Sequence, residues 1–217
     1  MNISDLYDLF NECLISEYTT TAEGADVCFK RDSEALFIFF EKSDGLCDWI
    51  NNLSFCAQAY GNSLHPWKCH GGFLRVFKSV RAMIDHAITE QKTSSVTVVG
   101  YSHGAALAVL AHEYIWFNYP ELRGSLKSIA YGCPRVIYGI PPSCVRNRWS
   151  RLLRVSHRGD LITHLPPAIF GFHHVGKLIR IGKPMLSGID AQRPESYLTS
   201  LKRVSLTDRL LPTSMPK

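Results

Sequence analysis

Val98-Val99-Gly100-Tyr101-Ser102-His103-Gly104-Ala105-Ala106 is the stretch on which the reading of this chain turns. Ser95-Val96-Thr97-Val98-Val99, leading into it, is a short, largely apolar run of the kind that forms a buried strand. Residues 103–117, leading out of it, are rich in Ala and Leu and read as a helix. Gly-x-Ser-x-Gly between such a strand and such a helix is the pattern of a nucleophile elbow. The turn is tight enough to force the central serine into strained backbone geometry. Gly100 and Gly104 leave room where side chains would collide. The Ser102 hydroxyl then stands at a helix N-terminus, where the His103 N–H faces a developing oxyanion with the helix dipole behind it. A chance Gly-x-Ser-x-Gly in a glycine turn is the bland alternative, and the strand before and helix after weigh against it.

Outward from the elbow, strands and helices alternate. Toward the N-terminus, residues 72–90 carry Phe73, Val76, Phe77, Val80, Met83, Ile84 and Ile88 at helical spacing. Earlier still, Ala25–Lys30 and Ala35–Phe40 read as strands around an Arg31-Asp32-Ser33-Glu34 turn. Leu6, Phe10, Cys13 and Leu14 place an amphipathic helix over 5–16, with Ser4 as its N-cap. Toward the C-terminus, Lys127–Gly132, Leu152–Ser156 and Val175–Ile181 read as strands. Tyr138–Pro142 and Leu165–Pro167 read as loops. The pattern predicts an α/β fold with a mainly parallel central sheet and helices on both faces, in a single domain over 1–217.

Composition narrows the classes. Hydrophobic residues are 46% and charged residues 20% of 217, which is a globular balance. No run of eighteen apolar residues marks a transmembrane helix. The first residues, with Asp5 and Asp8, do not have the form of a secretory signal. Seven cysteines, an odd number with no CxxC, read as reduced thiols, so a cytoplasmic location is expected. No Cys/His spacing predicts a metal, and no cofactor is expected. The net charge of +5 lies largely in the second half of the chain. Its plain reading is solubility, with weak contact at a membrane surface as the alternative; few aromatics interleave, so nucleic acid is not expected.

Several further motifs occur in one order. Phe40-Glu41-Lys42-Ser43 is followed by Asp48-Trp49-Ile50-Asn51-Asn52-Leu53. Then come His70-Gly71-Gly72-Phe73, the elbow, Tyr131-Gly132-Cys133-Pro134-Arg135-Val136, and Val155-Ser156-His157-Arg158-Gly159-Asp160-Leu161-Ile162-Thr163-His164-Leu165-Pro166-Pro167. Together, from about Leu36 to Leu201, these resemble the class 3 lipases, the group that includes the fungal triacylglycerol lipases and bacterial and phage-type relatives. The resemblance implies an α/β-hydrolase fold and a serine hydrolase acting on esters or lipids. It implies Ser102 as nucleophile and Asp160 as the acid of a Ser-Asp-His triad. It also implies oxyanion donors from Ser43 and from the His103 N–H, although Lys42 replaces the usual glycine beside Ser43. His70 and the Tyr131–Val136 segment carry no chemistry on this reading. Residues 44–56 are the segment that would serve as a short lid, with Trp49, Ile50, Leu53 and Phe55 as its apolar face.

The departure is in the third member. The family's histidine lies in a segment similar to Ile189-Asp190-Ala191-Gln192-Arg193-Pro194-Glu195-Ser196-Tyr197-Leu198, and alignment on Pro194 and Tyr197 puts Gln192 at that position. An amide fills the space of an imidazole and hydrogen-bonds like one, but it does not take a proton. The chain as written is therefore expected to be nearly inactive unless another histidine serves. His174 is the fallback base, ahead of His173 and His164. Two readings stay open: an ester hydrolase with an altered base, and a catalytically silent binding or regulatory module on the same fold.

Overall fold

The structure, a computed structural model, describes residues 3–41, 56–60, 67–184 and 187–210, with the side chains of 205–210 left aside. Along the chain come α1 (Ile3–Ile15), β1 (Thr19–Thr20), β2 (Asp26–Asp32), β3 (Ala35–Phe40), β4 (Ala57–Ala59) and β5 (Lys68–His70). Next are α2 (Gly71–Lys78), α3 (Arg81–Thr89), β6 (Ser95–Tyr101), α4 (His103–Asn118), β7 (Lys127–Tyr131), β8 (Ile137–Tyr138) and α5 (Ser143–Arg146). The last are β9 (Leu152–His157), β10 (Phe172–His173), β11 (Lys177–Ile181), α6 (Gly188–Gln192) and α7 (Pro194–Leu210).

Among the described residues the main sheet has seven strands in the order β1-β2-β3-β6-β7-β9-β11. The three N-terminal strands pair antiparallel, and β3, β6, β7, β9 and β11 run parallel. The β2–β3 hairpin turns at Ser33, which takes a φ of 54°. This is the α/β-hydrolase fold expected from the sequence. Register matters for the site: Phe40 pairs with Gly100, Tyr101 with Tyr131, and His157 with Ile181. The carboxyl ends of the central strands are therefore level, and the loops leaving them converge on one edge, where open α/β sheets place their ligands.

Side chains alternate across the sheet with period two. Val96, Val98, Ile38 and Ala130 point to one face and pack with Phe73, Phe77, Ile84 and the whole buried circumference of α4. Val99, Tyr101, Ile129, Tyr131 and Val155 point to the other, under Leu6 and Phe10 of α1 and Tyr197 and Leu201 of α7. Phe10 is fully buried against the rings of Tyr101, Tyr131 and Tyr197. Burial of such a side chain contributes on the order of 2 kcal/mol, so the two ends of the chain lock together beneath the site.

Four expectations change. Ser4 lies inside α1, whose described residues begin at Ile3, and does not cap it. The helical stripe over 72–90 is two helices, because the chain breaks at Ser79 and Val80 between α2 and α3. Tyr138 belongs to a strand: β10, β8, β5 and β4 form a second, four-stranded sheet, built from segments too short to show a periodicity. And the βα alternation weakens after β7: only β8, the four-residue α5 and turns separate β7 from β9, and only turns and β10 separate β9 from β11. No helix among the described residues is long and apolar enough to cross a membrane.

Candidate active site

β6 ends at Tyr101, and α4 begins at His103. Ser102 between them takes φ 55° and ψ −116°, a conformation that costs a non-glycine residue roughly 1–3 kcal/mol. The strain is held by close backbone approach. A Cβ at Gly100 would overlap the Gly104 carbonyl, and a Cβ at Gly104 would overlap the carbonyls of Phe40 and Glu41. The Ser102 N–H donates to the Tyr131 carbonyl at 2.9 Å, tying the turn to β7. The elbow is thus pressed against the ends of β3 and β7. The His103 N–H lies at the positive end of a sixteen-residue helix.

Asp160 follows β9 and is fully buried. Its Oδ1 accepts the Ile162 N–H at 2.9 Å, and its Oδ2 accepts the Tyr197 hydroxyl at 2.5 Å. Tyr197 in turn accepts the His157 N–H at 3.0 Å. Burial pushes the Asp160 carboxyl up to about 6, opposed by the Tyr197 hydroxyl and then by the Ile162 and Thr163 backbone donors.

Gln192 closes α6 and is 5% exposed. Its main-chain carbonyl accepts the Tyr101 hydroxyl, so a side chain of the elbow fixes where residue 192 begins. Its amide orientation follows from its neighbours, since a carboxylate only accepts and a serine hydroxyl can donate. The amide nitrogen then donates to both carboxylate oxygens of Asp160, at 2.6 Å to Oδ1, and the amide oxygen accepts from Ser102 Oγ at 3.1 Å. Gly132, with φ +57°, makes the space: a Cβ there would lie 2.7 Å from the Gln192 amide. Ser102, Gln192 and Asp160 are therefore one hydrogen-bonded chain across the carboxyl edge of the sheet.

The remaining candidates lie elsewhere. His174 Nε2 donates to the Thr163 carbonyl at 2.9 Å, and the residue sits with Cys133, Pro134 and Arg154. Burial and then Arg154 push its imidazole down to about 3. His173 pairs in β10 with Ile137, and His164 ends a 3-10 turn whose carbonyl accepts from Arg135. Among the described residues no hydrogen bond joins any of these three to Ser102 or Asp160. His103 and His70 are both buried close to Phe73, and burial holds each imidazole down to about 4, hence neutral near pH 7. Ser43, the expected second oxyanion donor, and the lid residues Trp49, Ile50, Leu53 and Phe55 lie outside the described residues.

Tyr197, Tyr101 and Gly132 were not singled out for the site by sequence. Tyr197 served only to align the segment around 192, and the signal that it does more is its spacing of five residues from Gln192. No group of three or more His, Cys, Asp or Glu side chains among the described residues could hold a metal.

The class 3 lipase family profile matches residues 37–170, well over half of the chain. Secreted mono- and diacylglycerol lipase 1 of Fusarium solani is 29% identical over 161 residues, covering 72% of this chain and 46% of its own length. The lipase of Rhizomucor miehei is 30% identical over 152 residues, covering 67% and 42%. The chain thus spans less than half the length of these relatives. In three dimensions it superposes on the Rhizomucor miehei triacylglyceride lipase with a TM-score of 0.67 at 26% identity, over 78% of this chain and 66% of the other. A second solved structure, described as a triacylglycerol lipase whose catalytic centre is a serine protease triad, gives 0.65 at 28% identity, over 77% and 66%. Residue 192 lies beyond the family match, so its place in the site rests on geometry.

Proposed function

The chain belongs to the class 3 lipase family, and from that premise we propose that it carries a lipase-type serine site for carboxylic esters of lipids. In this site Ser102 is the nucleophile, Asp160 the acid, and Gln192 stands where the general base is required. The observation that carries the reading is the Gln192 amide spanning the Ser102 hydroxyl and the Asp160 carboxylate.

The chemistry of such a site runs through the serine. Ser102 Oγ attacks the ester carbonyl while the base takes its proton. The His103 N–H, with Ser43 as the second donor implied by the family resemblance, holds the oxyanion; water then resolves the acyl-enzyme. Gln192 reproduces both hydrogen bonds of an imidazole, one to the serine and one to the carboxylate. It cannot accept the proton, so the chain as written hydrolyses esters slowly; loss of the base costs on the order of 10⁶ in turnover in a serine hydrolase. The same bridge favours the second reading, a silent ester-binding module, because it satisfies every partner with no proton in motion.

Hydrolysis of p-nitrophenyl esters of short and long chains by this protein, Gln192→His and Ser102→Ala separates the possibilities. A gain of several orders of magnitude in Gln192→His, with none in Ser102→Ala, supports a hydrolase lacking its base. High activity already in the unaltered chain, lost in Ser102→Ala, would sink the role given to Gln192. Background rates in all three put the binding module ahead.

Location is a proposal as well. The six described cysteines are free thiols, which suits the cytoplasm, whereas the Fusarium solani relative is described as secreted. Cell fractionation decides, and recovery of the protein outside the cell would overturn it.

A further inference from the structure

His70 ends β5, directly before α2, and its side chain is 3% exposed. Both of its ring nitrogens are buried without a hydrogen-bond partner among the described residues. Two other buried histidines show the contrast. His112 meets Ser128 Oγ at 2.7 Å and the Arg148 carbonyl at 2.9 Å; His157 meets the Arg158 carbonyl at 3.0 Å and Ser200 Oγ at 3.1 Å. A buried polar group without a partner is destabilising. Phenylalanine would make the same ring contacts at His70 without that cost, so packing alone does not account for an imidazole there.

Its neighbours place it on the nucleophile's side of the sheet. The His70 N–H donates to the Val136 carbonyl at 2.9 Å, in the segment that leaves β7. Its ring lies 5.6 Å from that of Phe172, where the segment that follows Asp160 enters β10. It lies 4.6 Å from the ring of Phe73, which is 5.6 Å from the ring of His103, the residue after the nucleophile. The segments that leave the carboxyl ends of β6, β7 and β9 therefore gather around this imidazole. Ser102 is itself fully buried, so admission of any ester to the nucleophile already requires this edge to open.

Burial holds the imidazole down to about 4, so near pH 7 it is neutral and offers one N–H donor and one bare nitrogen. The phenyl rings beside it disfavour a charged partner. An alcohol hydroxyl suits either nitrogen, since it accepts from the N–H or donates to the bare one. The acyl chain of a simple ester has no hydroxyl, so the group belongs to the alcohol part. We propose that His70 is a specificity-determining residue that binds a free hydroxyl on the alcohol part of the ester. The site then favours partial esters of a polyol over esters of simple alcohols. This inference rests on the ester-site reading of Ser102 for its substrate, and is independent of the residue at position 192.

Calorimetric titration of the unaltered full chain with 1-O-hexylglycerol and with its 2,3-di-O-methyl ether tests the proposal. Neither ether is hydrolysed by an esterase, and only the first carries hydroxyls. The diol is expected to bind about fivefold more tightly. It should also move the His70 Cε1 carbon resonance, identified by its loss in His70→Phe. His70→Phe should weaken the diol about fivefold and leave the dimethyl ether unchanged. His70→Gln, which keeps a donor and an acceptor, should recover part of the loss. Equal binding of the two ethers overturns the proposal, as does an unmoved His70 resonance or undiminished diol binding in His70→Phe. Failure of the diol to bind at all overturns it too. The comparison of the two ethers needs no variant and holds even where His70→Phe does not fold. Hydrolysis of p-nitrophenyl esters by Gln192→His reports the ester site separately. With that activity present and the ethers indistinguishable, only the role of His70 falls. With it absent and the diol still preferred, the ester reading falls and the hydroxyl site stands.

Discussion

The two halves of the candidate site are built from different materials. The nucleophile half is made of backbone: glycines in contact with carbonyls, a strained Ser102, and an N–H tied to Tyr131. The half around position 192 is made of side chains: an amide, a carboxylate and two phenols, joined by hydrogen bonds into a space that Gly132 leaves open. A backbone arrangement tolerates almost no change, because any added atom meets main chain that cannot move. A side-chain arrangement tolerates any residue of similar length that presents a donor at one edge and an acceptor at the other. Glutamine and histidine both do. The hydrogen-bonded geometry around position 192 is therefore compatible with a residue that does not take a proton.

The largest expected effect breaks the side-chain half chemically. In a Gln192→His background, Asp160→Asn should reduce kcat for ester hydrolysis by about 10⁴, the scale seen when a triad acid is neutralised and the histidine takes the wrong tautomer. A loss under tenfold, measured by single-turnover kinetics, would mean that residue 192 does not draw its orientation from Asp160.

The next effect breaks the backbone half physically. Gly104→Ala places a methyl group on the carbonyls of Phe40 and Glu41. It should cost about 3 kcal/mol in urea unfolding, at the upper end for overpacking, because the obstacle is main chain. Gln192→His, a swap of similar volume, should cost less than about 1.5 kcal/mol. Equal costs for the two substitutions would erase the distinction between the halves.

The same distinction explains what could be read from sequence. The elbow is local: nine consecutive residues carry the strand, the turn and the helix start, and periodicity supplies the rest. Asp160 was legible through the run of residues around it. Position 192 needed alignment on Pro194 and Tyr197, since nothing local marks a glutamine as a bridge. Tyr101 and Tyr197 were illegible as partners because they meet Gln192 and Asp160 only after the sheet is assembled, 91 and 37 residues away in the chain. The small second sheet was missed for a related reason. Strands of two or three residues are defined by their partners and show no pattern of their own.

pH gives two smaller effects that separate the halves further. The Asp160 carboxyl is raised from 3.8 to about 6 by burial, so between those values the folded state binds a proton that the unfolded state has lost. The stability that this proton contributes is fully present below about pH 3.8 and is lost as pH rises through about 6, by no more than about 3 kcal/mol. Asp160→Asn should flatten that part of the stability curve; an unchanged slope would place the titration elsewhere.

The smallest effect lies one hydrogen bond farther out. Tyr197→Phe removes the donor to Asp160 Oδ2 and leaves the His157 N–H without its acceptor. Together these should cost about 1–2 kcal/mol. The His157 share is the same at every pH. The Asp160 share is not, because a phenol donor stabilises the carboxylate more than the neutral acid. Urea unfolding of Tyr197→Phe should therefore show a larger loss at pH 8, where Asp160 is ionised, than at pH 4, where it is protonated. Gly104→Ala, which strains only backbone, should lose the same amount at both. If Tyr197→Phe is also indifferent to pH, the phenol acts on Asp160 through packing and His157 alone, and the side-chain half is less electrostatic than its hydrogen bonds imply.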